Sequence, residues 1–144
     1  GAPIKAFTRI SEKPITIHSQ VGFPDIVVVL DPTLLTVVDV TEGLDEDGIL
    51  IINTNDEPGK VREKLNLKGR KIFTIDATGI SLKNLGKAIP NTPMIGALVK
   101  ASGMLDIKIV ADDFKEKFQG RFREDIIEGN VNAINEAYNV VKGE

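Results

Sequence analysis

The chain has no cysteine and a single histidine, His18, among its 144 residues. Without cysteine these residues hold no disulfide, no thiolate nucleophile and no cysteine-ligated iron–sulfur cluster. The absence fits a cytosolic origin. One histidine excludes a multi-histidine metal site within the chain. A Ser-His-Asp triad would have to use His18, which "PITIHSQ" places at a strand end, as a rim residue. No G-x-G-x-x-G or P-loop occurs; "GFPD" and "DATG" are lone glycine turns. The apolar run from Ile26 to Leu30 is far too short to cross a bilayer. Positive charge is scarce as well. The net charge of −3 leaves no broad basic surface for nucleic acid. An initiating Met is missing: the chain opens directly on "GAPIKAFTRI", and the expectation is that it begins inside a larger gene product.

What is present is ordinary globular composition, 42% hydrophobic and 27% charged, with no internal repeat, low-complexity segment or linker. Residues 1–144 therefore read as a single domain. Residues 4–10 and 14–18 look like two strands of a hairpin, joined by a short connection at "SEK" and Pro14. "IVVVL" is a continuous β-branched run, the mark of a strand buried on both faces. Asp31 and Pro32 end it and start a helix over 33–38. The pattern repeats twice. A strand from Ile49 to Asn53 precedes a helix from Pro58 to Leu65. A strand from Lys71 to Ile75 precedes a short helix carrying Leu82, Leu85 and Ile89. The fold class is α/β: a three-layer, mostly parallel sheet with helices on both faces, right-handed crossovers and an N-terminal β-hairpin. Two amphipathic stripes complete it. Ile107, Val110, Phe114 and Phe118 form the first; Ile127, Val131, Ile134, Tyr138 and Val141 form the second, between Arg121 and Lys142. Both are expected to pack on the sheet.

Each buried strand ends in a polar residue: Asp31, Asn53 and Asp76, with Thr54 and Thr78 beside them. In open α/β sheets ligands bind outside the carboxyl ends of the strands, so these residues line a candidate site at one edge. Asp and Asn after a strand also cap the next helix or turn, and both readings stand at this point. A receiver-type role, with Asp31 as phosphoacceptor and Thr54 as switch, lacks the acidic pair and later Lys that it needs. "DEDG" at 45–48 reads as a solvated turn and "REDIIEGN" at 123–130 as a solvated helix start.

Taken in order, "GAPIKAFTRI", "PDIVVVLDPTLL", "EGLDEDGILIINT", "DATGISLKNLGKAIPNTPMIGALVKASG" and "NVNAINEAY" closely resemble the gamma subunit of 2-oxoacid:ferredoxin oxidoreductases, most of all pyruvate:ferredoxin oxidoreductase (pyruvate synthase). The family subunit begins with a strand and a "GRGGQG"-type loop ahead of the residues that match Gly1, and this chain lacks that N-terminal glycine-rich segment. The resemblance implies an enzyme complex that converts a 2-oxoacid and coenzyme A to acyl-CoA and carbon dioxide and reduces ferredoxin. It implies thiamine diphosphate, Mg²⁺ and 4Fe–4S clusters on other subunits. The expected partners are alpha, beta and delta-type subunits in the cytoplasm, with ferredoxin as acceptor and no nucleic acid or membrane. This chain is then structural, with no catalytic residue and no metal ligand of its own, and helps to hold coenzyme A. Carried over position by position, the candidates are Arg9, Asp31, Asn53 and Thr54, as coenzyme A contacts or interface residues. A planar Arg suits a phosphate. The alternative is a non-catalytic α/β ligand-binding module with no redox partner, which copurification with cysteine-rich subunits separates from the first reading.

One stretch, "NTPMIGALVKASG" at 91–103, has almost no polar face. Thr92 is the expected N-cap, Pro93 suits the first helical position, and Gly103 ends the helix. A helix that is apolar all round is buried. The expectation is burial partly in this domain and partly against a partner subunit, with burial in the core alone as the other account.

Overall fold

The computed structural model describes residues 2–144. Three aliphatic runs form the parallel part of a four-stranded sheet: β1 (Ile26–Val29), β2 (Ile49–Asn53) and β3 (Lys71–Ile75). Ile26 pairs with Ile49 and Ile49 with Lys71, so the three strands start level; β2 and β3 end level, and β1 stops one position earlier. A two-residue strand, β4 (Lys142–Gly143), runs antiparallel along the far edge of β3. Alternation along β2 divides the core. Ile51 faces one layer, while Leu50 and Ile52 face the other, and all three are fully buried.

Helices cover both faces. On the Leu50 side lie α1 (Pro58–Leu65), through Val61 and Leu65, and a 3₁₀ turn (Pro32–Thr36), through Leu34 and Leu35. On the Ile51 side lie α2 (Ala77–Leu85), α3 (Asn91–Ser102) and α5 (Glu124–Val140), contributing Ile80, Met94, Ala97, Ala133 and Ala137. The remaining helix, α4 (Ile107–Phe118), packs on α5. Its stripe of Ile107, Val110, Phe114 and Phe118 is half-buried, and Ala111 is its one buried residue. The expected contact of that stripe with the sheet is thus corrected: α3 and α5 already fill the layer. The α5 stripe meets α3 and α2, with Ile127, Val131 and Ile134 buried.

Boundaries moved at four ends. The 3₁₀ turn occupies 32–36 because Asp31 accepts hydrogen bonds from the Thr33 amide (2.9 Å) and hydroxyl (2.7 Å). α2 stops at Leu85, where Gly86 takes a left-handed conformation (φ 66°), so Ile89 lies outside it and is exposed. α5 starts at Glu124, three residues later than the stripe suggested, after the turn that carries Arg121 and Phe122. α3 starts at Asn91, and Thr92 sits buried inside its first turn rather than capping it.

The apolar helix proves to be the middle of the molecule. α3 lies between the sheet and α5 and buries Pro93, Met94, Gly96, Ala97 and Val99. Its crossing with α5 is close enough that a Cβ at Gly96 would stand 2.0 Å from the Ile134 carbonyl oxygen. Intramolecular burial accounts for most of its apolar surface, and Ile95, 37% exposed, is its one exposed aliphatic side chain.

The N-terminal hairpin is met as a fold-back without a regular strand ladder; none of residues 2–25 is assigned to a strand. Its arms are tied by one side chain. Arg9 donates to the carbonyls of Ser19 (2.5 Å), Gln20 (3.2 Å) and Ile17 (3.4 Å). Among residues 2–20 only Arg9 is not exposed.

Candidate functional site

Closely aligned strand ends put the expected residues along one edge of the sheet. Asp31 follows β1, Asn53 ends β2, Thr54 follows it, and Asp76 follows β3. What each does there differs. Asp31 caps the 3₁₀ turn, and hydrogen bonds from Thr33 hold its carboxyl below the usual range. Asp76 caps α2 by accepting from the Gly79 amide at 2.7 Å. Asn53 is 5% exposed and fully engaged. Its amide nitrogen donates to the Leu30 carbonyl (2.8 Å) and the Thr78 hydroxyl (2.9 Å), and its oxygen accepts from the Thr78 amide (3.3 Å). It therefore ties β1, β2 and α2 together. Thr54 donates its amide to the Ile75 carbonyl (2.9 Å), and its hydroxyl accepts from the Asp56 amide (3.2 Å).

Beside this row a cleft of about 420 Å³ opens between the end of β3, α2, the last turn of α5 and β4. Thr54, Asp56, Thr74, Asp76, Lys83, Glu136 and Lys142 supply its polar wall. Lys83 and Asn84 both donate to Glu136, at 2.8 and 2.9 Å, and so tie α2 to α5. Those two donors hold the Glu136 carboxyl below its usual range, and Lys60 does the same for Asp56. Two lysines face three carboxylates here. The shifted carboxyls all move down and stay ionised at neutral pH, the opposite of a carboxylic acid tuned to donate a proton. The chemistry on offer is hydrogen bonding and charge recognition.

The structure brings Thr54 and Asp76 into the lining of this cleft and leaves Asp31 and Asn53 out of it. Arg9 is elsewhere. It lines a second, open hollow of about 450 Å³ on the fold-back, with Phe7, Ile15, Ile17 and His18. His18 is exposed, as expected of a rim residue. Lys83, Glu136 and Lys142 were invisible as site residues in the sequence. Lys83 and Glu136 lie 53 positions apart and meet only because α5 folds onto α2.

There is no thiolate in the chain, and among the described residues no group of three or more His, Cys, Asp or Glu gathers to hold a metal. Among the described residues no helix is long and apolar enough to cross a membrane.

The profile of the family described as pyruvate ferredoxin/flavodoxin oxidoreductase matches residues 1–140. The chain is 49% identical over 138 residues to the pyruvate/ketoisovalerate oxidoreductases common subunit gamma of Pyrococcus abyssi, covering 96% of this chain and 72% of that protein. It is 42% identical over 142 residues to pyruvate synthase subunit PorC of Thermotoga maritima, covering 99% of this chain and 73% of that protein. Its fold matches the crystal structure of pyruvate oxidoreductase subunit PORC from Thermotoga maritima with a TM-score of 0.75 at 40% identity, over 86% of this chain and 67% of that one.

Proposed function

Since the chain belongs to the pyruvate ferredoxin/flavodoxin oxidoreductase family, we propose that it is the gamma-type subunit of a cytoplasmic 2-oxoacid:ferredoxin oxidoreductase. Its assembly decarboxylates a 2-oxoacid, pyruvate in the first instance, onto coenzyme A and passes the electrons to ferredoxin. One observation carries this reading: 49% identity to a gamma subunit across 96% of the chain. Thiamine diphosphate, Mg²⁺ and the iron–sulfur clusters then reside on alpha, beta and delta-type partners. This chain contributes framework, and no step of the reaction runs through its own side chains.

The test is coexpression with the neighbouring subunit genes. A cysteine-rich assembly should copurify with the chain, and pyruvate- and coenzyme A-dependent ferredoxin reduction should vanish when the chain is left out. A chain that purifies alone, from a host whose ferredoxin reduction does not depend on it, would return the reading to a free ligand-binding module.

The finer proposal is that coenzyme A meets this subunit through Arg9, Asp31, Asn53 and Thr54, with Arg9 on a phosphate. In the assembled enzyme, Arg9→Ala should then raise the KM for coenzyme A about tenfold to a hundredfold and leave the KM for the 2-oxoacid unmoved. A specific observation favours a second reading of these residues. The guanidinium of Arg9 is committed to three carbonyls of its own fold-back, and Asn53 has both donors in use. On that reading Arg9→Ala weakens assembly and spares the KM for coenzyme A.

A further inference from the structure

The wall of the cleft formed by residues 141–144 differs from its other walls. α2 and α5 are anchored in the core, whereas this segment leaves α5 at Val141, where the backbone turns extended (ψ 133°). It then lies along β3 as the two-residue β4. Thr74 opposes Lys142, Phe73 opposes Gly143, and the Glu144 amide donates to the Ile72 carbonyl at 3.2 Å. Two ion pairs hold it from outside, Arg62 with Glu144 at 2.5 Å and Lys142 with Glu57. Of its residues only Val141 packs against a core cluster. The fit is nonetheless specific. A Cβ at Gly143 would lie 2.4 Å from the Phe73 ring, so glycine lets the segment lie flat on that ring.

We infer that residues 141–144 form a strap that closes the cleft at the carboxyl edge of the sheet and opens locally, with Val141 as the hinge, while the core stays folded. Closed, the strap sets Lys142 in the cleft wall and pairs it with Thr74, which is 1% exposed. Open, it removes one of the two lysines in the cleft wall, which also carries Asp56, Asp76 and Glu136, and it bares the outer edge of β3. The strap thus decides whether an anionic ligand meets Lys142 as well as Lys83 there, or Lys83 alone. Electrostatic fastening by partly exposed pairs makes closure sensitive to ionic strength.

The cysteine-free sequence gives a direct test, because one introduced cysteine is the only thiol. Thr74→Cys reports at the strap's ladder partner on β3. Ser81→Cys, at a residue 0% exposed within α2, reports opening of the core. Labelling by a soluble maleimide is followed at both sites. Gly143→Val should speed labelling at Thr74→Cys about tenfold or more and leave Ser81→Cys within about twofold. If Gly143→Val fails to fold, the double variant Glu57→Gln with Glu144→Gln removes both ion pairs. It should speed labelling at Thr74→Cys up to about fivefold, as should molar sodium chloride. Equal acceleration at the two sites, or none at Thr74→Cys, overturns the strap. The readout needs no ligand, so its failure and failure of the coenzyme A proposal are separate results.

Discussion

The fold-back at residues 2–24 and the layer around α3 draw on the same residue types and reach opposite ends. In the fold-back Ile4, Ile10, Ile17 and Phe23 are 89, 71, 62 and 82% exposed. In α3 Met94, Ala97 and Val99 are at most 4% exposed, and the helix touches strands on one side and α5 on the other. Hydrophobic content therefore does not decide burial in this molecule; partners do. A strand-like segment without a ladder presents its backbone groups and its apolar side chains together. A helix satisfies its own backbone and can be covered on every face.

The comparison breaks most violently at the α3–α5 crossing. Gly96→Ala should destabilise the chain by about 3 kcal/mol, near the upper end for overpacking, because the new methyl meets backbone rather than a movable side chain. Chemical denaturation measures it, and a loss below that of an ordinary surface change would mean the helices separate freely.

Next in size is Asn53→Ala. It leaves the Leu30 carbonyl and the Thr78 amide at a buried junction without their partner, and about 2 kcal/mol should be lost. Denaturation of this variant beside Thr54→Ala ranks the two residues. If Asn53 costs no more than Thr54, the tie between β1 and α2 is ornamental.

Smaller again is the pH effect of the α2–α5 tie. The Glu136 carboxyl is lowered from 4.5 by Lys83 and Asn84, so its stabilisation is present above the unfolded value. It is lost as pH falls through the lower folded value. The melting temperature of the parent chain should exceed that of Glu136→Gln at neutral pH, and the gap should close below 4.5. A gap unchanged by acid would assign the difference to packing.

Smaller still, Arg9→Ala should change the global stability by no more than about 0.5 kcal/mol, because its carbonyl partners all lie on the exposed fold-back outside the core, yet speed proteolytic cutting in the fold-back severalfold. Ile4→Ser should change neither. Were Ile4→Ser to destabilise the chain, the fold-back would belong to the core and the contrast with α3 would dissolve.

What could be read from the residue order was whatever depends on near neighbours. The β-branched runs at 26–29, 49–53 and 71–75 specify strands buried on both faces, and Pro58 and Leu65 bound α1 as the pattern indicated. Parallel pairing with level starts followed from the strand–helix alternation, and it carried Asp31, Asn53 and Asp76 to one edge. The resemblance in motif order identified the family. Tertiary structure decided the rest. It made Asn53 a cross-link, because Leu30 and Thr78 approach it from 23 and 25 positions away. It turned Arg9 inward onto its own chain, moved the α4 stripe onto α5, and built the cleft from Lys83, Glu136 and Lys142. Local pattern follows from backbone geometry and side-chain period, which a short window contains. A side chain's partner depends on which distant segments win the limited space around the sheet, and only the packed molecule resolves that competition.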